Sequence, residues 1–178
     1  MCIRDRAVVY QSNTGFTKQY AELFAKETGL ACYALGDALN TLEKNTPVLF
    51  MGWIFARKIQ GMEKARRKLD VRAAAAVGMT PPQDKMVPEL KEDNNLHGLP
   101  LFYLQGGAAP EKLRGMKKLM FQMAVKMTKK AASANEEKDR SVEETLRVME
   151  TGGDFVSMEN LKELLIWLKE EQTEREKE

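Results

Sequence analysis

Five short apolar runs lie within the first 105 residues of the chain, and a polar or glycine-containing segment follows each of them. The runs cover residues 7–10, 30–35, 47–51, 71–77 and 99–104. A continuous apolar run of this length, bounded by turn residues, is typical of a strand that is buried on both faces. Because helical segments separate the runs, the pattern predicts an α/β protein whose parallel sheet is covered by helices on both sides.

Helical periodicity fills the intervals between these runs and continues towards the C-terminus. A proline begins the longest helix, and Ser141 with Glu144 forms a capping box. Four alanines at 73–76 leave the fourth run ambiguous, because alanine favours helix. The predicted helical segments are one ending at Gly29, then 37–44, 61–69, 84–96 (helical or irregular, interrupted by Pro88), 110–132, 141–150 and a last helix from Ser157.

The 178 residues are expected to form a single domain. Residues 1–6 fit no element and resemble a translated adaptor sequence, so they are interpreted as a scar that replaces a short native start. Residues 110–150 are interpreted as a helical extension before the last helix. Residues 172–178 are expected to be a charged, frayed tail.

Composition excludes several classes of site. The chain has two cysteines and one histidine, which rules out a disulfide framework, cysteine-rich metal sites and sites built on paired histidines. The longest apolar run, residues 47–56, is too short to span a bilayer. Because no apolar signal region opens the chain, the expected compartment is the cytoplasm.

The net charge of +2 conceals a strong asymmetry along the chain. Residues 1–100 carry a net charge of +3, residues 101–133 carry +6, and residues 134–178 carry −7. The basic and acidic blocks either neutralise each other within the fold or form a docking surface. The basic stretch Arg66-Arg67-Lys68 is short and lacks interleaved aromatic residues, so nucleic-acid binding is not expected.

The segment after the first apolar run carries the clearest chemistry. Ser12-Asn-Thr-Gly-Phe-Thr17 supplies hydroxyl groups, turn amides and a helix N-terminus, which together favour an anion. Gly15 permits close approach of the backbone. The alternative interpretation is a helix entry that is merely capped by serine and threonine. The Gly-Lys-Ser/Thr ending of nucleoside triphosphatases is absent.

Tyr10-Gln-Ser-Asn-Thr-Gly-Phe-Thr17 resembles the phosphate-binding fingerprint of the flavodoxins, Ser/Thr-x-Thr-Gly-x-Thr after the first strand. The later strands are similarly spaced, so the resemblance covers residues 7–170. It implies a flavodoxin-like, doubly wound, five-stranded parallel sheet in the order 2-1-3-4-5, bound FMN, and electron transfer. It also implies that the FMN phosphate is held by Ser12, Asn13, Thr14, Gly15, Phe16 and Thr17.

Three further loops would flank the flavin if the resemblance holds. In the loop 52–60 after the third strand, Trp53 is the first candidate for stacking and Phe55 the second, although both could simply continue the core. Arg57 or Lys58 could stabilise the reduced flavin. Thr80 follows the fourth strand, where the flavodoxin tyrosine is missing. The remaining candidates in these loops are Gly52, Ile54, Gln105 and Gly106.

The predicted helix 110–132 is unusual, because methionines recur at helical spacing among lysines. One interpretation is a core-facing methionine stripe with solvated lysines. The other is a basic amphipathic surface for anionic lipid or for a protein partner. The second matters because menaquinone-dependent protoporphyrinogen oxidases, which are similar in length and pattern, work at membranes.

The expected function is therefore that of an FMN-binding flavodoxin-like protein that carries electrons between cytoplasmic partners, with a redox protein or a quinone as partner. The alternative is a quinone-coupled flavin oxidase at the inner face of the membrane, which helix 110–132 would contact peripherally. A third possibility is a flavin-free interaction module that has kept the fold. No catalytic residue and no metal ligand is assigned, and Cys32 is expected to be an inert thiol.

Overall fold

The computed structural model describes residues 6–134 and 140–175, so most of the predicted scar and the last three residues of the predicted tail lie outside the described residues. Arg6 belongs to no element, and its Nη2 donates to Glu171 Oε2 at 3.0 Å. The strands are β1 (Ala7–Gln11), β2 (Ala31–Ala34), β3 (Pro47–Phe55), β4 (Lys58–Ile59), β5 (Asp70–Gly78), β6 (Leu101–Gln105), β7 (Gly107–Ala108) and β8 (Gly153–Asp154).

Seven α-helices accompany these strands in the described part of the chain. Short 3-10 turns at Pro110–Lys112 and Glu159–Leu161 precede the fifth and the seventh. The helices are α1 (Phe16–Thr28), α2 (Leu35–Thr41), α3 (Met62–Lys68), α4 (Met86–Asp93), α5 (Gly115–Ala134), α6 (Arg140–Thr151) and α7 (Lys162–Arg175). None of the described helices is both long enough and apolar enough to cross a bilayer.

The central sheet is parallel and confirms the predicted α/β class. Its strands lie in the order β2-β1-β3-β5-β6, and β4 pairs antiparallel with the end of β3. Counted among the parallel strands alone, this is the order 2-1-3-4-5 that the sequence predicts. A separate two-stranded sheet joins β7 to β8. The carboxyl ends of the parallel strands all meet at one edge of the sheet.

Helices cover both faces of this sheet, as the continuous apolar runs require. On one face, α1 and α7 bury Tyr20, Phe24 and Leu164 against alternate residues of the strands. On the other face, α2, α3 and α4 bury residues such as Met62 and Leu90. The alanines at 73–76 form the middle of β5 and are fully buried, because small side chains let helices approach the sheet closely from both sides.

Several element boundaries differ from the sequence-based predictions. Pro88 does not interrupt α4, because it lies in the first turn of the helix, where its missing N–H has no partner to lose. The predicted helix 110–132 becomes a 3-10 turn followed by α5, whose first residue, Gly115, has a φ of +54°. Helix α7 extends four residues into the segment expected to fray, where glutamine, glutamate and arginine have high helix propensity.

Candidate functional site

The sheet changes winding direction between β1 and β3. From β1 the chain moves outwards through α1 to β2, and then returns through α2 to β3 on the other side of β1. The loops that leave the carboxyl ends of these two strands therefore diverge and leave a crevice. Such a switch point is where open α/β sheets bind ligands.

The loop between β1 and α1 forms a compact turn at this crevice. Gly15 N donates to Ser12 Oγ at 3.2 Å, and Gln19 N donates to the Gly15 carbonyl at 2.9 Å as α1 begins. Gly15 has a φ of +107°, and no heavy atom lies within 4 Å of the place where its Cβ would stand. Glycine here relieves the left-handed backbone and leaves open space beside the first helical amides. Thr17 is only 1% exposed.

Strand β3 does not end at Gly52, contrary to the predicted loop 52–60. Gly52 pairs with Gln11 on one side and with Ala76 on the other, so sheet hydrogen bonding continues the strand to Phe55. A Cβ at Gly52 would lie 2.6 Å from Ile59 Cγ2 and 2.7 Å from the Gln60 carbonyl oxygen. This glycine therefore allows β4 to fold back over β3. It contributes packing in the sheet and does not line the crevice.

The hairpin between β3 and β4 turns through two residues in the left-handed region, Ala56 at a φ of +47° and Arg57 at +64°. Two-residue hairpins require this geometry, which glycine and asparagine usually supply. The Asn94 side-chain amide holds the hairpin in place at the end of α4. Its Oδ1 accepts from Ile59 N, and its Nδ2 donates to the carbonyls of Arg57 and Leu90, each at 2.9 Å.

The two basic residues of the hairpin are directed to α4. Arg57 Nε donates to Asp93 Oδ2 at 2.6 Å, and its Nη2 lies 3.3 Å from Glu89 Oε2. The hydrogen bond to Asp93 and the charge of that carboxylate raise the pKa of Arg57. Lys58 Nζ donates to the Asp93 carbonyl. Neither residue lines the crevice, so the sequence-based role of stabilising a reduced flavin has no geometric support.

A cleft of about 100 Å³ occupies the crevice, and we call it the switch-point cleft. Seven of the residues predicted from sequence meet there: Asn13, Thr14, Phe16 and Thr17 from the first loop, and Trp53, Ile54 and Phe55 from the end of β3. The rings of Trp53 and Phe55 pack with centroids 5.6 Å apart at 47°, forming an aromatic wall. The first loop thus contributes polar groups and the Phe16 ring to the lining, and the end of β3 contributes the aromatic wall.

Six predicted site residues do not line this cleft. Ser12 and Gly15 shape its first loop, and Gly52 lies inside the sheet. Thr80 lines a neighbouring cavity of about 250 Å³, where its Oγ1 lies 3.0 Å from the Tyr103 hydroxyl. That hydroxyl donates to the Thr80 carbonyl at 2.7 Å, and burial raises the pKa of Tyr103 to about 12. The other two are Gln105 and Gly106.

Gly106 is fixed by packing between strands. Its N donates to the Gly78 carbonyl and its carbonyl accepts from Phe155 N, each at 2.8 Å. A Cβ would lie 2.6 Å from Val77 Cγ1. Gly106 is therefore required by the close packing of β5 against β6, whereas the next glycine, Gly107, lines the cleft. Gln105 Nε2 donates to the Met79 carbonyl at 3.4 Å, which ties β6 to the loop after β5.

A buried hydroxyl connects the first helix to the C-terminal segment. Tyr20 donates its hydroxyl proton to the Gln105 carbonyl at 2.5 Å and accepts from Asn160 Nδ2 at 2.6 Å. Asn160 Nδ2 also donates to the Phe155 carbonyl at 3.0 Å. Burial is the largest cause that raises the pKa of Tyr20. These bonds position β6 and the segment 155–160 behind the cleft.

Sequence reasoning missed the residues that close the cleft from the side of α5. Leu113 and Phe121 both line it, together with Val77, Gly78, Met79, Gly107, Ala108 and Ala109. Lys112 Nζ lies 6.0 Å from the centroid of the Phe16 ring. Phe121 is the single aromatic residue in the methionine-rich helix, and it lies on a different face from the methionines. This different position on the helical wheel is the sequence signal that could have indicated that Phe121 faces the protein.

A second, larger depression adjoins Trp53, and we call it the basic groove. It measures about 930 Å³ and lies between the β3–β4 hairpin and α3. Its basic side chains are Lys58, Lys64, Arg66 and Arg67, and its one acidic side chain is Glu63. Trp53 lines both depressions and therefore separates the groove from the switch-point cleft.

No protein-family model, curated protein sequence or solved structure matches this chain.

Proposed function

We propose that the protein is a flavodoxin-like FMN-binding protein that carries electrons between cytoplasmic partners. The observation that carries this proposal is the switch-point cleft. There the hydroxyl-bearing loop after β1 and the aromatic wall at the end of β3 line the same cleft. A phosphate-bearing, flat aromatic cofactor matches this pairing of a hydroxyl-bearing loop with aromatic rings.

The hydroxyl-bearing loop suits the phosphate. The loop places Asn13, Thr14 and Thr17 on the cleft, and the first amides of α1 have no intrahelical partner. Open space beside Gly15 lets an oxygen approach the backbone. The helix dipole favours the negative charge. The loop contains no lysine or arginine, so neutral donors would supply the hydrogen bonds.

The aromatic wall suits the ring system. Trp53 and Phe55 present apolar rings, and a flat heteroaromatic ring stacks favourably against an indole. Bound FMN would supply the electron-transfer chemistry. The chain itself would hold the phosphate, orient the ring, and set its surroundings through stacking and backbone hydrogen bonds.

The switch-point cleft is smaller than a pocket that would enclose FMN. Ligand pockets commonly measure about 300–1,000 Å³, whereas the switch-point cleft measures about 100 Å³. Leu113 and Phe121 narrow it from the α5 side. We therefore infer that these two side chains move outwards when FMN enters. Phe121→Ala is expected to accelerate FMN association in stopped-flow mixing, and an unchanged or slower association would contradict this inference.

The two tryptophans provide the sharpest test of the ring site. Trp53 lies in the cleft, whereas Trp167 packs against Phe102 with centroids 6.0 Å apart, on α7. Flavin fluorescence is quenched by contact with an indole. Bound FMN is therefore expected to be dark in the natural protein and in Trp167→Phe, and to regain fluorescence in Trp53→Phe. Equal quenching in both variants would remove Trp53 from the site.

The phosphate site is tested by comparing FMN with riboflavin in calorimetric titrations. Hydrogen bonds to a charged group contribute about 1.5–3 kcal/mol, so Thr14→Ala is expected to weaken FMN binding about 10- to 100-fold. Riboflavin binding should not change. Thr28→Ala, at the opposite end of α1, is the matched control, because its hydroxyl bonds only to the Phe24 carbonyl, at 2.7 Å. Equal affinity for FMN and riboflavin would refute the phosphate assignment, and binding of neither would favour a flavin-free module.

The second candidate is a quinone-coupled flavin oxidase similar to menaquinone-dependent protoporphyrinogen oxidase, acting at the membrane surface. The observation that favours it is the exposed apolar surface of α5, the helix that also supplies Phe121 to the cleft. The two candidates differ in turnover. A carrier reduces a protein acceptor stoichiometrically, whereas the oxidase would consume a small-molecule donor repeatedly in the presence of a soluble quinone.

A further inference from the structure

Large apolar side chains are exposed on one helix far more than elsewhere in the described chain. Five of the seven exposed large apolar residues lie on α5. Their side chains are between 42% and 71% exposed, and we call them the α5 apolar stripe: Met116, Leu119, Met120, Met123 and Met127. At about 100° per residue, they fall within an arc of about 100° on the helix surface.

A different face of the same helix packs against the protein. Phe121, Ala124, Val125 and Thr128 are half-buried, and Phe121 lines the switch-point cleft. The stripe is therefore not the core-facing side of α5. Of the two interpretations that the sequence allowed for the methionines, the core-facing one is wrong, because the packed positions are these four others.

The charges around the stripe have a single sign. Every charged residue between 112 and 130 is basic. Lys126 lies three residues after Met123, and Lys130 lies three residues after Met127, so both border the stripe. Both are exposed, and none of the ion pairs recorded among the described residues involves either of them. Lys129, by contrast, pairs with Glu150 of α6.

We propose that the α5 apolar stripe and its bordering lysines bind the surface of an anionic phospholipid bilayer. An apolar strip bordered by cations matches the layered chemistry of such a surface, with acyl chains below and phosphate groups above. The stripe is also convex, since it is one side of a single helix. A fluid bilayer adapts to a convex, flexible methionine surface, whereas a protein partner would need a groove of matching shape. This inference does not depend on FMN.

The test is flotation of the full chain with two kinds of vesicle, phosphatidylcholine alone and an equal mixture with phosphatidylglycerol. Binding is expected to the mixture only, and to fall when salt is raised. Lys126→Gln/Lys130→Gln is expected to weaken it about 30-fold, because each lysine near an anionic surface contributes about fivefold. Lys26→Gln/Lys44→Gln, which removes two exposed lysines elsewhere, should bind as the natural chain does.

The apolar contribution needs its own variant. Met123→Gln/Met127→Gln keeps side-chain length and helix propensity but removes the apolar surface, and we expect at least a tenfold loss of binding. Met158→Gln is the matched control, because Met158 is an exposed methionine outside α5. Urea unfolding midpoints equal to that of the natural chain would show that these variants are folded.

Three outcomes would overturn the proposal. One is equal binding to both kinds of vesicle or binding to neither. Another is full vesicle binding by the methionine or lysine variants. The third combines two results: the chain does not bind vesicles, and sedimentation shows a concentration-dependent dimer that the methionine variant abolishes. The stripe would then be a contact between two copies of this chain.

Discussion

Removing the Tyr20 hydroxyl tests whether α1, β6 and the segment before α7 are held together by one buried polar group. Tyr20 is fully buried, and its hydroxyl donates to the Gln105 carbonyl at 2.5 Å while accepting from Asn160 Nδ2 at 2.6 Å. Tyr20→Phe preserves the ring and its packing. It leaves the Gln105 carbonyl and the Asn160 amide with fewer partners in a site that water does not reach easily.

The expected cost follows from these two bonds. Each net hydrogen bond contributes about 0.5–1.5 kcal/mol, and a buried group left without its partner costs about 1–3 kcal/mol. Asn160 retains its bond to the Phe155 carbonyl at 3.0 Å, so only part of that penalty applies. We expect Tyr20→Phe to lower the free energy of unfolding by about 2 kcal/mol. In a chain of this size that corresponds to about 4–8 °C in Tm.

Urea unfolding at neutral pH, followed by circular dichroism, measures this change. Tyr10→Phe is the matched control, because Tyr10 is half-buried and none of the hydrogen bonds recorded among the described side chains involves it. A double-mutant cycle with Asn160→Ala should give a coupling free energy of about 1 kcal/mol. The reasoning fails if Tyr20→Phe costs no more than Tyr10→Phe, or if the two changes at 20 and 160 are additive.

Three other changes have expected outcomes that stability measurements can check. Gly107→Ala would place a Cβ 2.0 Å from the Gly153 carbonyl oxygen, so we expect it to lower the free energy of unfolding by about 2–3 kcal/mol. Gly36→Ala is the control and should not lower it, because no heavy atom lies within 4 Å of the added Cβ. Ala56→Gly should raise the free energy of unfolding by roughly 1 kcal/mol, because the relief of left-handed backbone strain exceeds the entropy that a more flexible glycine loses on folding. A decrease in the urea midpoint would contradict this. Because burial raises the pKa of Tyr103 from 10.0 to about 12, the folded state retains a proton that the unfolded state loses, and stability should fall between pH 10 and 12. Tyr103→Phe should reduce that slope, and an unchanged slope would rule out this cause.

The sequence alone was sufficient to predict those strands and loops whose signal lies within one short segment of the chain. The five apolar runs predict the parallel strands, and the loop after β1 is where Ser12 and Gly15 indicated it. The sequence pattern predicts a strand end at Gly52, because glycine commonly interrupts strands. Its pairing with Gln11 and Ala76 depends on two other segments, so no local pattern contained it.

The candidate site also contains residues that a local pattern predicts and residues that only the folded chain brings together. The loop residues and Trp53 belong to the first group, because each lies in a short continuous segment directly after a predicted strand. Phe121 approaches from a helix more than sixty residues beyond Trp53, and the two-residue strands β7 and β8 are too short to show any periodicity. Gly106 is a cofactor candidate in the sequence but lies outside the cleft, and its close contact with Val77 becomes visible only once β5 and β6 pair.

The Asn94 amide has a practical consequence for anyone who redesigns this protein. Its three hydrogen bonds fix the β3–β4 hairpin, and the hairpin in turn fixes the aromatic wall of Trp53 and Phe55. The exposed ion pairs of Arg57 contribute little by comparison. A mutagenesis library aimed at cofactor specificity can therefore vary the rings freely, but it should hold position 94 constant. The residue that sets the geometry of the wall lies some forty positions away and does not line the switch-point cleft.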